Sequence, residues 1–201
     1  MKEKQGMNRV KVFTAPARHK IDIFHSGQRR PLSWVRFTWD LANLSGACAG
    51  LPGHYEIVRA NAEDEPGLRK VFSSSFILDP IWSPAIAEVM SKVPMALDGA
   101  FTSDDKICLA LRHGSRIIGA ALLTIDPKID NHLLPGPTIS IEYRNRGFGT
   151  HLLEHSLHTL RDAGLAIVSG MTRDISPAAK FLYPKFGGVA ALIGAEALAA
   201  A

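Results

Sequence analysis

ISIEYRNRGFGTHLL, residues 139–153, reads as a strand that runs into a short loop, and the loop opens directly into a helix. Gly147 and Gly149 let the backbone come close to a ligand, with positive φ permitted where the turn needs it. The first N–H groups of the helix have no internal partners and lie at the positive end of its dipole. Such a helix start is suited to phosphate oxygens, and Arg144 and Arg146 add cationic donors beside it. A dinucleotide-binding turn would place a third glycine at position 152, which is Leu152, and no acidic residue follows in a suitable β-α-β context. A P-loop would close on Gly-Lys-Ser/Thr, which this loop does not contain. What remains is Arg144-x-x-Gly147-x-Gly149 between a strand and a helix.

Outward from this loop the chain is orderly. Tyr55–Ala60 alternates as a half-buried strand should. Asn61 is placed to cap a helix whose first turn holds Glu63, Asp64 and Glu65, with Leu68, Val71 and Phe72 following at helical spacing. Pro80 and Pro84 interrupt the pattern before a second helix over Ala85–Val93. Ile107–Arg112 and Ile117–Ile125 are apolar runs joined by His113-Gly-Ser-Arg116, a hairpin signal. A Pro135-Gly-Pro137 loop leads to a strand at Thr138–Ile141. A helix over Gly149–Ala163 stops at Gly164, a natural C-terminal cap. Leu165–Ser169 reads as a strand, Pro177–Phe186 as a last helix and Val189–Ile193 as a final strand. This order implies a mixed α/β domain with one layered core.

Residues 1–53 read differently. They hold nine Lys/Arg against three Asp/Glu, a net +6, while the remainder carries −2 of the chain's +4. TAPARHK, HSGQRRP and SGACAGLPG are polar or small and rich in turn formers, and only Trp34–Trp39 has strand-like composition, with poor alternation. The expectation is a basic, poorly ordered N-terminal extension over 1–53, compatible with a transit peptide, followed by a folded domain over 54–201. The high isoelectric point comes from the extension, so it gives no reason to expect nucleic acid as a partner.

Arg144-x-x-Gly147-x-Gly149, within the longer EYRNRGFGTHLL of residues 142–153, resembles the pyrophosphate loop of the GNAT N-acetyltransferase family. The similarity extends over about 54–188, because Ala179-Lys-Phe-Leu-Tyr183-Pro-Lys-Phe-Gly-Gly188 resembles that family's last-helix signature. The resemblance implies a GNAT-like α/β fold with a mostly antiparallel sheet splayed at the cofactor site and flanked by helices. It implies acetyl-CoA as co-substrate, held by Ile139, Ser140, Ile141, Arg144, Asn145, Arg146, Gly147, Phe148, Gly149 and Thr150, with no metal. It implies an N-acetyltransferase in which a primary amine attacks the thioester directly in a ternary complex. Tyr183 would protonate the departing thiolate, since a phenol of pKa ~10 keeps its proton at neutral pH. The resemblance does not fix a base. Glu142 is the nearest carboxylate in sequence and the candidate carried here; Asp126 and Asp130 end the preceding strand region. Partners would be a small-molecule or peptide amine, with a homodimer allowed and no membrane. The chain departs from the family pattern at Ile141, Ser176 and Pro184, and its C-terminal strand pair looks incomplete. Those departures favour a rival reading, a non-catalytic acyl-CoA sensor.

His151, His155 and His158 fall on one helical stripe, with Asp162 below. Leu152, Leu153, Leu157 and Leu160 must take the core side, so the histidines are expected on a solvated face rather than around a metal. Cys48 and Cys108 are far apart without a metal or redox motif, which points to a reducing, cytoplasmic setting. No apolar run approaches the ~18 residues of a membrane span.

Overall fold

The computed structural model of the protein describes residues 33–44, 48 and 50–193. It contains seven strands, β1 (Trp34–Asp40), β2 (Tyr55–Arg59), β3 (Lys106–His113), β4 (Arg116–Thr124), β5 (Thr138–Ile139), β6 (Ile167–Arg173) and β7 (Val189–Ile193), among the described residues. Three α-helices, α1 (Glu65–Ile77), α2 (Ile86–Asp98) and α3 (Phe148–Asp162), lie between them, and a π-helical turn at Ala178–Leu182 follows β6. Every strand pairing is antiparallel. One sheet has the order β2-β3-β4-β5 and the other β6-β1-β7.

The apolar run of β3 and β4 follows from burial on both faces. Ile107, Leu109, Leu111, Ile118, Ala121 and Leu123 join α3 in one core cluster, while Cys108, Ala110, Ala120 and Leu122 join α1 and α2 in the other. The single layered core expected from the sequence is thus two clusters on either side of a sheet. Asn61 caps as expected, in a capping box with Asp64, and the chain makes a short 3-10 turn there before α1 begins at Glu65. α2 continues through Pro94 to Asp98 because Val89, Val93 and Leu97 anchor one face.

The N-terminal boundary needs correction. β1 lies inside the expected extension, yet it is the central strand of its sheet, with Trp34 opposite Arg173 on β6 and Ile193 on β7. Val35, Phe37 and Trp39 point into the core, Trp39 being only 1% exposed. The alternation is regular, but Trp34 on the other face hides it from a hydropathy reading. Residues 34–43 therefore belong to the folded body; residues 1–32 lie outside those described. β7 pairs with β1 and not with β6.

The two sheets part at β5. His132 N–H donates to the Ser169 carbonyl at 2.8 Å, and the Ser169 N–H donates back to His132 Nδ1 at 3.1 Å. Met171 N–H bonds Asn131 Oδ1, and Leu133 bridges to Leu123 on β4. Segment 131–133 is thus held to both sheets. Beyond Pro135-Gly136-Pro137, β5 pairs with β4 alone, through only two residue pairs. The opening between β5 and β6 is a cleft.

Candidate active site

The loop from Arg144 to Gly147 reverses direction through two left-handed residues, Asn145 at φ 60° and Gly147 at φ 84°. No side chain caps α3, and Thr150 N–H folds back onto the Gly147 carbonyl. The amides of Asn145, Arg146, Gly147, Phe148 and Gly149 meet no acceptor among the described residues. Five consecutive unused donors at the start of a fifteen-residue helix are an arrangement suited to an anion. Phe148 is buried against Tyr55 and fixes the helix start to the core. Gly149 has ordinary φ; a Cβ there would meet only Leu182 and Ile139 at ordinary contact distance. Its hydrogen keeps the passage between those side chains open.

The loop lines a cleft through Tyr143, Arg144, Asn145 and Gly149, together with Ser75, Phe76, Asp79, Trp82, Ser176–Ala178 and Leu182. On β5, Ser140 N–H bonds the Ile118 carbonyl at 2.9 Å. Antiparallel alternation then turns Ile139 away from β4, and its carbonyl accepts from Ser75 Oγ and Arg144 Nε. The Ile139 N–H shares that side and faces the cleft. Ser140 is committed to β4, and Ile141 begins a 3-10 turn at the surface.

The two loop arginines are not free phosphate donors. Arg144 is clamped, its Nε on the Ile139 carbonyl, one terminal nitrogen on Asp79 at 2.6 Å and the other on the Ser75 carbonyl at 3.0 Å. It ties β5, the end of α1 and the following turn together, so its guanidinium is committed within the fold. Arg146 donates to the Glu142 carbonyl and lies over the Tyr143 ring, which Arg116 approaches as well. Glu142 pairs with Arg116 on an exposed groove beside the β3–β4 turn and does not line the cleft. Its own backbone N–H, followed by the Arg116 charge, holds its carboxyl below the usual range. Asp130 pairs with Arg36 on β1.

Tyr183 is 3% exposed, with its ring edge-on to Phe37 and Trp39. Its hydroxyl lies so close to Gly136 that a Cβ there would fall 2.5 Å away. Burial pushes the hydroxyl pKa above the ordinary phenol range, so the group stays protonated at neutral pH. The expected last helix is instead the π-helical turn followed by a 3-10 turn at Pro184–Phe186. Pro184 has no N–H to continue an α-helix, and Tyr183 N–H reaches back five residues to Ala178. Ser176 starts the turn by accepting from Ala179 N–H at 3.1 Å.

A second cavity shares Phe76, Trp82, Pro137, Thr138 and Ala178 with the cleft and has Tyr183 in its wall. The turn 80–85 that carries Trp82 is pinned at Asp79 by Arg144 and at the Ile81 carbonyl by buried Arg173. The sequence reading missed Ser75, Asp79, Trp82 and Arg173; Asp79-Pro80 is a visible turn start, but nothing local links it to a residue 65 positions away. The histidine stripe also differs from expectation. His158 is buried beside Arg161, His151 and His155 are half-buried, and the turn Leu41–Asn43 packs on this helix. No cluster able to hold a metal ion occurs among the described residues. Nor, among them, is any helix long and apolar enough to cross a membrane.

The sequence model of the acetyltransferase (GNAT) family matches residues 75–187, more than half of the chain. Among solved structures, a Drosophila protein aligns with TM-score 0.58 at 14% identity over 81% of this chain and 49% of its own. A GCN5-related N-acetyltransferase from Sphaerobacter thermophilus aligns with TM-score 0.53 at 14% identity, over 81% and 50%. One from Kribbella flavida aligns with TM-score 0.50 at 13% identity, over 80% and 56%. The chain thus spans about half the length of these structures. No curated protein matches it.

Proposed function

Because the chain belongs to the GNAT acetyltransferase family, we propose that it transfers the acetyl group of acetyl-CoA to a primary amine by direct attack in a ternary complex. The observation that carries this reading is the row of unused amides at Asn145–Gly149, whose two end residues line a cleft adjoining the cavity that has Tyr183 in its wall. The amides and the α3 dipole would receive the pyrophosphate. The strip between Ile139 and Leu182 would take the pantetheine arm, with the Ile139 N–H as donor to it or to the thioester oxygen. Bound there, acetyl-CoA supplies an activated acyl carbon. Tyr183 then offers a proton at the position where the thiolate leaves. Glu142 has the wrong surroundings for the base, being ion-paired and outside the cleft, so water is left to remove the amine proton.

Calorimetry of acetyl-CoA on Gly149→Asp tests the reading. The Cβ is tolerated, so the fold should persist, while the carboxylate stands where phosphate oxygens are expected and binding should be lost. Unchanged affinity would remove the claim.

A further inference from the structure

We infer that the amine accepted by this protein carries an aromatic or otherwise apolar body and no second cation near its reacting nitrogen. The inference rests on the acyl-transfer reading above and concerns the cavity beyond Tyr183. Three of its aromatic side chains come from separate parts of the fold. Trp34 enters from β1, Phe76 from α1 and Trp82 from the following turn, with Trp82 edge-on to Phe76 at 5.0 Å and tilted against Trp34 at 6.2 Å. Val89 and Val93 of α2 and Leu133 and Leu134 complete an apolar lining.

The polar groups there are few and largely engaged. Glu88 and Lys92, one turn apart on α2, pair with each other at 3.5 Å with both side chains partly in solvent. Asn131 Oδ1 is taken by Met171 N–H, and the Thr172 hydroxyl pairs with Ser176 Oγ. No unpaired carboxylate among the described lining residues is left to hold an ammonium. A polyamine, an aminoglycoside or a lysine-rich peptide would have to desolvate its further charges against aromatic and aliphatic walls without compensation. An apolar body loses nothing by entering, and a flat ring finds aromatic faces and edges at stacking distance. Because the cavity shares five lining residues with the cofactor cleft and has Tyr183 in its wall, a body seated there directs its amine at the thioester. The neutral nitrogen forms the C–N bond, the C–S bond breaks, the thiolate takes the Tyr183 proton, and the surplus amine proton returns through water to restore the tyrosine.

The test is thiol release by the full chain from acetyl-CoA with 2-phenylethylamine and tryptamine against spermidine, an aminoglycoside and a lysine-bearing peptide. The arylalkylamines should show kcat/KM at least about 100-fold higher, since an unpaired buried charge costs more than the two tenfold steps this represents. Trp34→Ala, whose side chain touches the second cavity and not the cofactor cleft, should raise KM for the arylalkylamine about tenfold while calorimetric affinity for acetyl-CoA holds. Should that variant not fold, Val89→Phe, which narrows the cavity, should give the same split. Equal or better turnover of the polycations overturns the inference and leaves acyl transfer standing. A preference for benzoyl- or hexanoyl-CoA with ethylamine, over acetyl-CoA with an arylalkylamine, would mean the cavity holds the acyl chain and would likewise overturn it. Tight acetyl-CoA binding without thiol release from any amine would sink the transfer reading itself.

Discussion

The strands β2, β3, β4 and β5 follow one another in the chain and lie side by side in space, joined by a tight turn at His113–Arg116 and by longer connections. β6, β1 and β7 do neither: the strand in the middle comes from the start of the folded body, and both neighbours come from its end. The first sheet carries the loop that should hold the cofactor, while the second presents Phe37 and Trp39 to the ring of Tyr183. Local pairing thus builds the binding half of the site, and long-range pairing builds the half assigned to proton transfer. The second half depends on a strand with no partner near it in sequence.

A proline at Phe37 gives the largest expected effect. It would remove a ladder donor from a strand paired on both sides, together with a buried ring, and proline is confined to edges or strand starts for that reason. Loss of the ring alone is worth about 3–5 kcal/mol, so thermal unfolding should lose its cooperative transition. The same replacement at Val189, exposed and first on edge strand β7, should leave that transition in place. A folded Phe37→Pro protein would erase the contrast between the sheets.

Tyr183→Phe comes next and separates packing from chemistry on the long-range side. The ring keeps its contacts, so stability and cofactor affinity should hold, while turnover falls by about 10²–10⁴-fold if the hydroxyl is the acid. Parental turnover across pH 6–9 would make Tyr183 a packing residue. Asp79→Asn probes the local side. It strips the counter-charge from Arg144, a partly buried pair, and should cost about 1–3 kcal/mol in denaturant unfolding and weaken acetyl-CoA binding. An unchanged midpoint would mean that Ser75 and Ile139 suffice to hold the clamp.

The smallest effect is a pH dependence at the stitch between the sheets. His132 is buried, which lowers its pKa from 6.5, and its Nδ1 must be unprotonated to accept from Ser169 N–H. The unfolded chain therefore binds the proton more readily. Stability should be complete above pH 6.5 and decline as pH falls below it, by at most about 1.4 kcal/mol per pH unit for this one group. His155 shifts in the same direction, so the comparison is with His132→Gln, whose profile should be flatter by the His132 share. Identical profiles would show that the stitch does not titrate.

What could be read from the sequence follows the same division. The hairpin, the Asn61 cap, the glycine loop and α3 depend on residues a few positions apart, and each lies within a residue or two of its expected place. Arg144 was legible as a loop residue but not as a clamp, because Ser75 and Asp79 come from distant chain. β1 was obscured by Trp34, an aromatic on the face that lines the second cavity, and His158 by a turn that covers one side of α3. Tyr183 was legible only through its neighbours in a recurrent signature; the π-helical turn that positions it needs Pro184 and Ser176 together.

The place of β1 also governs how the chain reaches this fold. As a ribosome extends it, β1 emerges early with hydrogen-bonding edges on both sides and alternate apolar residues, and Trp34 waits for Arg173 and Ile193 before either edge is covered. Pairing across that separation is slow, and an unpaired edge held that long invites association with other chains. Production in cells should therefore respond to chaperone supply and to lower growth temperature more strongly than the native state's own stability would suggest.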